Sequence, residues 1–259
     1  MTRTRRAAVR AAFGYTQYAV AILSGIVLVP LVLHRLGARQ WGLWLASGEL
    51  LGYAALVDLG VLGVLPWMLA ESDGRKDRTA MRTLIANGLL VGAIVGVGYA
   101  VVIGALWTVL PSILRLSPAD RAMIGPPLVI VIVATAIGYP CRVFSAVLAG
   151  IQDVVFNGAL AALQTLVGVV ITLVLLLKGY GLYALAFAAA VPPFLTAAAS
   201  LVRIAIVAPD LLWGWPRPAW DSVRHLLTNG VGVWLGIFGW QLVAEIGRAS
   251  CRERVYVLV

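Results

Sequence analysis

Apolar runs long enough to cross a bilayer, about 20 residues each, alternate along this chain with short charged or Gly/Pro-rich punctuation. The runs are built from Val, Leu, Ile, Ala and Gly, with none of the strict alternation of a half-buried strand. They predict helix 1 over Phe13–Leu33, helix 2 over Trp41–Pro66, and helix 3 over Leu84–Leu110. Helix 4 is expected from about Pro127 to Gly150, interrupted near Tyr139-Pro140. Helix 5 follows over Val155–Leu177 and helix 6 over Leu182–Val207, with Pro192-Pro193 inside it. A last apolar segment, Val223–Val243, starts helix 7. The polar punctuation predicts a turn at His34–Gln40, a charged loop at Glu71–Arg82, and a loop holding Pro111, Pro118 and Asp120. Tight turns are expected at Gln152-Asp153 and Lys178–Gly181. The fold class is therefore an all-α, polytopic transmembrane helix bundle. Residues 1–208 form a six-helix lobe, and 209–244 form a Trp/Pro-rich interfacial connector with the start of helix 7.

Composition sharpens that picture. Hydrophobic residues make up 61% of the 259 positions, against about 45–50% in a soluble domain. The net charge of +9 would suit nucleic acid, but the basic residues sit at the ends of apolar spans. There they set topology and meet anionic headgroups, so nucleic acid is excluded as a partner and membrane lipid is expected. Counting Lys and Arg between spans gives eleven on the side of the N-terminus and five on the other. That bias places the N-terminus in the cytoplasm of a multi-pass protein of a bacterial cytoplasmic membrane. The arginines of residues 1–12 resemble the start of a signal peptide, but Phe13–Leu33 is too long for one, so helix 1 is read as uncleaved. Cys141 and Cys251 suggest no structural disulfide, and no Cys/His spacing suggests a metal or a cofactor. Gly88, Gly92, Gly96 and Gly98 in helix 3 are small residues of the kind that let membrane helices approach closely.

Residues 245–255, EIGRASCRERV, have another character. One DNA string that encodes them looks, from its second base onward, like a common sequencing-library adapter. Residues 245–259 are therefore expected to be an adapter-derived, non-native tail, with native sequence ending near Ala244.

The segment from Val29 to Gly74 holds Pro30, then Leu36-Gly37, then Trp41-Gly42, then Asp58-Leu59-Gly60, then a charged stretch. A second segment, VLAGIQDVVFNGALAALQTL, spans Val147–Leu166. Together they resemble bacterial polysaccharide flippases, the oligosaccharide-flippase branch of the superfamily that also holds multidrug and toxic-compound extruders. The resemblance implies two six-helix lobes around a central cavity, lobe rocking for alternating access, and a polyprenyl-diphosphate-linked oligosaccharide as cargo. Only the first lobe and the start of helix 7 would be present here, so a C-terminal lobe is the implied missing partner.

Five polar groups inside spans, and one acid near a span end, carry the candidate chemistry. Glu49 and Asp58 in helix 2 are nine residues apart. On one helix that is half a rotation and about 13 Å, so they are not a catalytic carboxylate pair. Glu49 reads as a protonatable or cavity-lining group, or as a neutral structural acid. Asp58 reads first as a partner for a loop Arg or a helix end. Arg142, after Tyr139-Pro140-Cys141, either snorkels to the interface or meets a substrate phosphate. Gln17, Asn157 and Gln164, like Thr165, serve helix–helix hydrogen bonding or cavity contact. Arg203 near the end of helix 6 is expected to snorkel. Three other classes stay open: a cation-coupled multidrug antiporter, which Glu49 allows; a membrane-embedded glycosyl transferase, which the base-interleaved acids Glu71, Asp73 and Asp77 disfavour; and an inactive fragment.

Overall fold

A computed structural model describes residues 3–54, 60–113, 116–218, 220, 223–224, 226–236, 238–239 and 243. They form helices α1 (Arg3–Ala54), α2 (Val61–Gly74), α3 (Arg78–Ile113), α4 (Pro118–Gly150), α5 (Val154–Leu177) and α6 (Leu182–Val207). A 3-10 turn at Pro209–Leu212 and a short apolar helix, α7 (Leu226–Gly236), follow. Five of the helices are long and apolar enough to cross a membrane. The chain is thus an all-α bundle of multi-pass membrane character. Asp58 and the tail 245–259 lie outside the described residues.

α1 is two arms joined at Gly37, whose φ of 80° and ψ of 158° leave the helical region. The first arm starts against α5, where Phe13 meets Gly158, and ends against the α5–α6 turn, where Leu36 approaches Gly181. The second arm starts at the N-terminus of α4, where Arg39 bonds Asp120 at 2.8 Å. It continues along α4, with Trp44 and Leu51 packed on the cluster of Ile124, Leu128 and Leu182. The two arms therefore run in opposite directions, and the turn between them is one residue rather than all of His34–Gln40. A Cβ at Gly37 meets nothing within 4 Å, so the demand for glycine is conformational: that region of φ/ψ is essentially closed to other residues. Gly37→Ala should lower stability by about 1–3 kcal/mol, measured as a melting shift of the detergent-solubilised protein. A shift no larger than that of Gly42→Ala, where a Cβ also meets nothing, would refute the conformational account.

The single helix expected over Trp41–Pro66 is interrupted. Gly60 takes a left-handed conformation, φ 71°, and caps the start of α2. A Cβ there would collide with the backbone at Gly230 and Trp234 of α7. Gly60 is thus needed both for the turn and for the close approach of α7. α2 packs on α3 and α4, and its buried face holds Val61, Leu62, Val64, Leu65 and Leu69.

The charged segment Glu71–Arg82 is not a loop. α2 runs to Gly74 and α3 begins at Arg78, leaving three residues between them. Its charges stay near the chain: Arg75 pairs with Glu71 at 2.6 Å, and Arg78 with Asp73 at 3.4 Å. Arg82 donates through Nε to the Asp210 carbonyl at 2.8 Å, which ties the 3-10 turn to this end of α3. α4 likewise begins earlier than expected, at Pro118. Pro118 occupies the first turn, where a missing N–H costs nothing, and Ser117 and Asp120 form a reciprocal capping box. α4 then runs through Pro140 as one helix.

α3 and α4 meet along a stripe of glycines. Gly88 faces Val143 and Leu65, Gly92 faces Tyr139-Pro140, and Gly96 faces the carbonyl of Ala136. Four-residue steps on α3 are thus matched by three- and four-residue steps backwards on α4, the signature of two antiparallel helices in close contact. Pro140 has no N–H to bond the Ala136 carbonyl four residues earlier. That bare oxygen is the atom lying on the Cα of Gly96, where a C–H can meet it.

Candidate functional site

α4 and α5 both lean on α6 and touch each other little. The cleft this leaves contains three hollows. The first, about 350 Å³, is walled by α4 (Thr135, Gly138, Cys141, Arg142, Ser145), α5 (Gln164) and α6 (Ala189, Pro193, Thr196, Ala197). The second, about 320 Å³, shares Arg142, Ser145, Gln164 and Thr196 with the first, and adds Asn157, Ala149 and Ala161. Leu62 and Pro66 of α2 close its side. The third, about 310 Å³, shares Asn157, Ala149 and Ala161 with the second, and adds Phe13, Gly14 and Gln17 of α1. Shared walls make these one groove, running towards the end of the bundle that holds the α4–α5 turn.

The groove faces obey helical spacing. On α4 the lining residues fall at 134, 135, 138, 141, 142 and 145; on α6 they fall at 189, 190, 193, 196 and 197. Each set is one stripe at 3.6-residue periodicity. The stripes are small or polar. The faces turned outward are large and apolar: Val129, Val133 and Ile137 on α4, and Leu163, Leu166 and Val170 on α5, are all exposed. Large apolar groups suit lipid, and small and polar ones suit water, ligand or another protein surface. The groove is therefore chemically distinct from the bundle's lipid-facing faces.

Four of the candidates picked from sequence lie on this groove. Arg142 stands where the first and second hollows join, and its guanidinium carbon lies 5.7 Å from the ring centroid of Tyr139. Tyr139 is itself buried against Tyr99, centroids 5.6 Å apart. Gln164 accepts from the Thr196 hydroxyl across the cleft at 3.3 Å. Asn157 stands between the second and third hollows, and Gln17 at the far end. Glu49 is exposed near the end of α1 and lies on none of the three walls. Thr165 bonds back to the Ala161 carbonyl at 3.1 Å and so serves its own helix.

Arg203 does not simply snorkel. Its Nε donates to Asp153 at 2.8 Å, and its guanidinium lies 5.2 Å from the Phe156 ring. This joins the end of α6 to the α4–α5 turn and holds the mouth of the groove. Sequence reading also missed Ser145, Thr196 and Pro193 as wall residues. A hydroxyl in an apolar helix usually bonds its own backbone, so spacing alone does not single these out.

Comparison with protein-family models, with curated proteins and with solved structures finds no match to this chain.

Proposed function

We propose that this chain is one lobe of a membrane transporter. Its cargo would be a polyprenyl-diphosphate-linked oligosaccharide, carried from the cytoplasmic to the outer leaflet of a bacterial cytoplasmic membrane by alternating access. The observation that carries the reading is the position of Arg142. It stands in a small-residue, polar groove inside an apolar bundle, eight residues from the α4 terminus at Gly150, or about 12 Å along the axis. A cation costs about 2.5–3.5 kcal/mol at the centre of a span on insertion scales and less towards its end, so it is retained where it meets water, a partner or an anion. A diphosphate is such an anion, and a guanidinium meets it with two parallel hydrogen bonds. The lipid-facing stripes leave room for a prenyl chain beside the groove, and the neutral polar wall suits a glycan. A discontinuous crossing, here broken at Gly60, is a common element of transporter sites. The excess of basic residues at the end with Arg75, Arg78, Arg82 and Arg203 supports placing that end, and the N-terminus, in the cytoplasm. The Leu36-Gly37 and Asp58-Leu59-Gly60 resemblance to polysaccharide flippases supports the same cargo.

The test is expression of the full-length gene, both lobes included, in a bacterium lacking its own lipid-linked-oligosaccharide flippase. Restored surface glycan, without new resistance to cationic drugs, is the expected result. Drug resistance without glycan display would replace this reading by the antiporter. Neither phenotype, with the protein present in the membrane, would overturn the transporter assignment.

A further inference from the structure

Helix α6 carries two adjacent prolines, Pro192 and Pro193, in the middle of a span. A helical carbonyl is normally met by the amide four residues on, or, where the helix tightens, by the one three residues on. For Ala189 these two amides belong to Pro193 and Pro192, and proline has no N–H. Ala189 is the one position in α6 whose carbonyl loses both partners. Its neighbour Ala188 loses only the amide of Pro192, and the Ala188 oxygen is covered by Gly168 of α5, where a Cβ would stand 3.5 Å away. Ala189 instead is exposed and walls the first hollow together with Pro193.

That hollow offers more acceptors of the same kind. Gln164 presents Oε1 towards Thr196, whose hydroxyl also reaches the Pro192 carbonyl at 3.0 Å. Among the described residues no carboxylate stands on its wall, and Arg142 stands where it joins the second hollow. A bare cation is disfavoured beside that guanidinium. A ligand rich in hydroxyls is not, because each hydroxyl donates to a carbonyl and accepts from an amide or another hydroxyl. We infer that the first hollow is a hydroxyl-reading subsite, in which the Ala189 carbonyl freed by Pro192-Pro193, with Gln164, accepts hydrogen bonds from the saccharide head of the cargo while Arg142 at the junction holds its phosphate. This rests on the transport reading above and adds to it where along the groove the two parts of the cargo lie.

Cys141 walls the same hollow and reports on its occupancy. The full chain carrying Cys251→Ser is treated with iodoacetamide alone, with a short-chain prenyl diphosphate, and with the same compound bearing a disaccharide. The sugar-bearing probe should slow alkylation of Cys141 about three- to tenfold more than the sugar-free one, the effect of one or two net hydrogen bonds. In Pro193→Ala the Ala189 carbonyl regains its helical amide, and the ratio of the two protections should fall towards one. Alanine is the best helix former, so this change does not threaten folding. Gln164→Leu should lower the ratio as well. A wild-type ratio of one, or a ratio unchanged in Pro193→Ala, overturns the subsite. Failure of both probes to protect the wild type instead overturns the anion-binding reading on which it rests.

Discussion

Replacing Gly92 or Gly96 with leucine should prevent the bundle from assembling, so that no monodisperse protein is recovered after membrane solubilisation. The alanine variants should already show a graded loss. A Cβ at Gly92 would stand 2.8 Å from the Pro140 Cα, 3.1 Å from its N and 3.2 Å from the Tyr139 carbonyl oxygen. These are backbone atoms of a helix held on its other side by α6, and they cannot rotate away. At Gly96 the Cβ would fall on the Ala136 carbonyl. At Gly88 the nearest atoms are side-chain methyls, Leu65 Cδ2 at 2.9 Å and Val143 Cγ2 at 3.3 Å, which can adjust. Gly104 has nothing within 4 Å and is exposed. Overpacking costs about 1–3 kcal/mol and occasionally more, whereas Gly→Ala in a free helix position gains up to about 1 kcal/mol. The expected order of melting temperatures for alanine variants is therefore Gly104 above wild type, then Gly88, then Gly92 and Gly96 lowest. Equal shifts at Gly92 and Gly104 would mean that the glycines are not where α3 and α4 touch.

Much of this packing was legible in the sequence, but in separate pieces. The glycine spacing in helix 3 announced a close approach without naming the partner. Pro140 announced a freed carbonyl at Ala136 without saying what covers it. Only the three-dimensional register shows that Gly96 and Ala136 are the same contact. The span limits of helices 5 and 6 were legible to within a residue, because turn residues bracket long, uniform apolar runs. Helix 2 was not, since Gly60 within an apolar run reads as a tolerated glycine until α7 is seen pressed against it. Charged residues misled in the opposite direction. Glu71–Arg82 looked like a solvated loop, yet short-range ion pairs and the Arg82–Asp210 bond allow helix almost throughout. Arg39 falls in the expected turn His34–Gln40 and Asp120 in the expected loop before helix 4, but a pairing 81 residues apart has no local signal.

The site was legible through its polar members. Arg142, Asn157, Gln164 and Gln17 stand out in apolar helices because an unsatisfied polar group there is costly, and the fold places all four on one groove. Glu49 stands out for the same reason, yet it lies on none of the groove's walls. The walls between the polar members were not legible. Ala134, Gly138, Ala189 and Ala197 have the apolar character of lipid-facing residues, and only their small size, repeated on one stripe, marks the face they make.

Arg142→Glu should abolish transport while leaving the protein folded. Arg142 is exposed to the groove, so its replacement leaves no buried hole, and the melting temperature should move little. A hydrogen bond to a charged group contributes about 1.5–3 kcal/mol, so loss of the guanidinium in Arg142→Gln should weaken binding of a diphosphate-linked lipid about 10- to 150-fold. Reversal to glutamate adds repulsion against the phosphates and should exceed that range. Arg142→Lys keeps the charge but loses the planar fork and its seat over the Tyr139 ring, so it should fall between wild type and Gln. Tyr139→Leu removes the aromatic face beside the guanidinium and should weaken binding less than Gln, with a lower melting temperature because Tyr139 is buried against Tyr99. The measurement is glycan display in the flippase-deficient strain, set beside binding of the sugar-free prenyl diphosphate to the purified protein. Wild-type activity and binding in Arg142→Glu would remove the anion site from the groove, and with it the strongest support for a phosphate-bearing cargo.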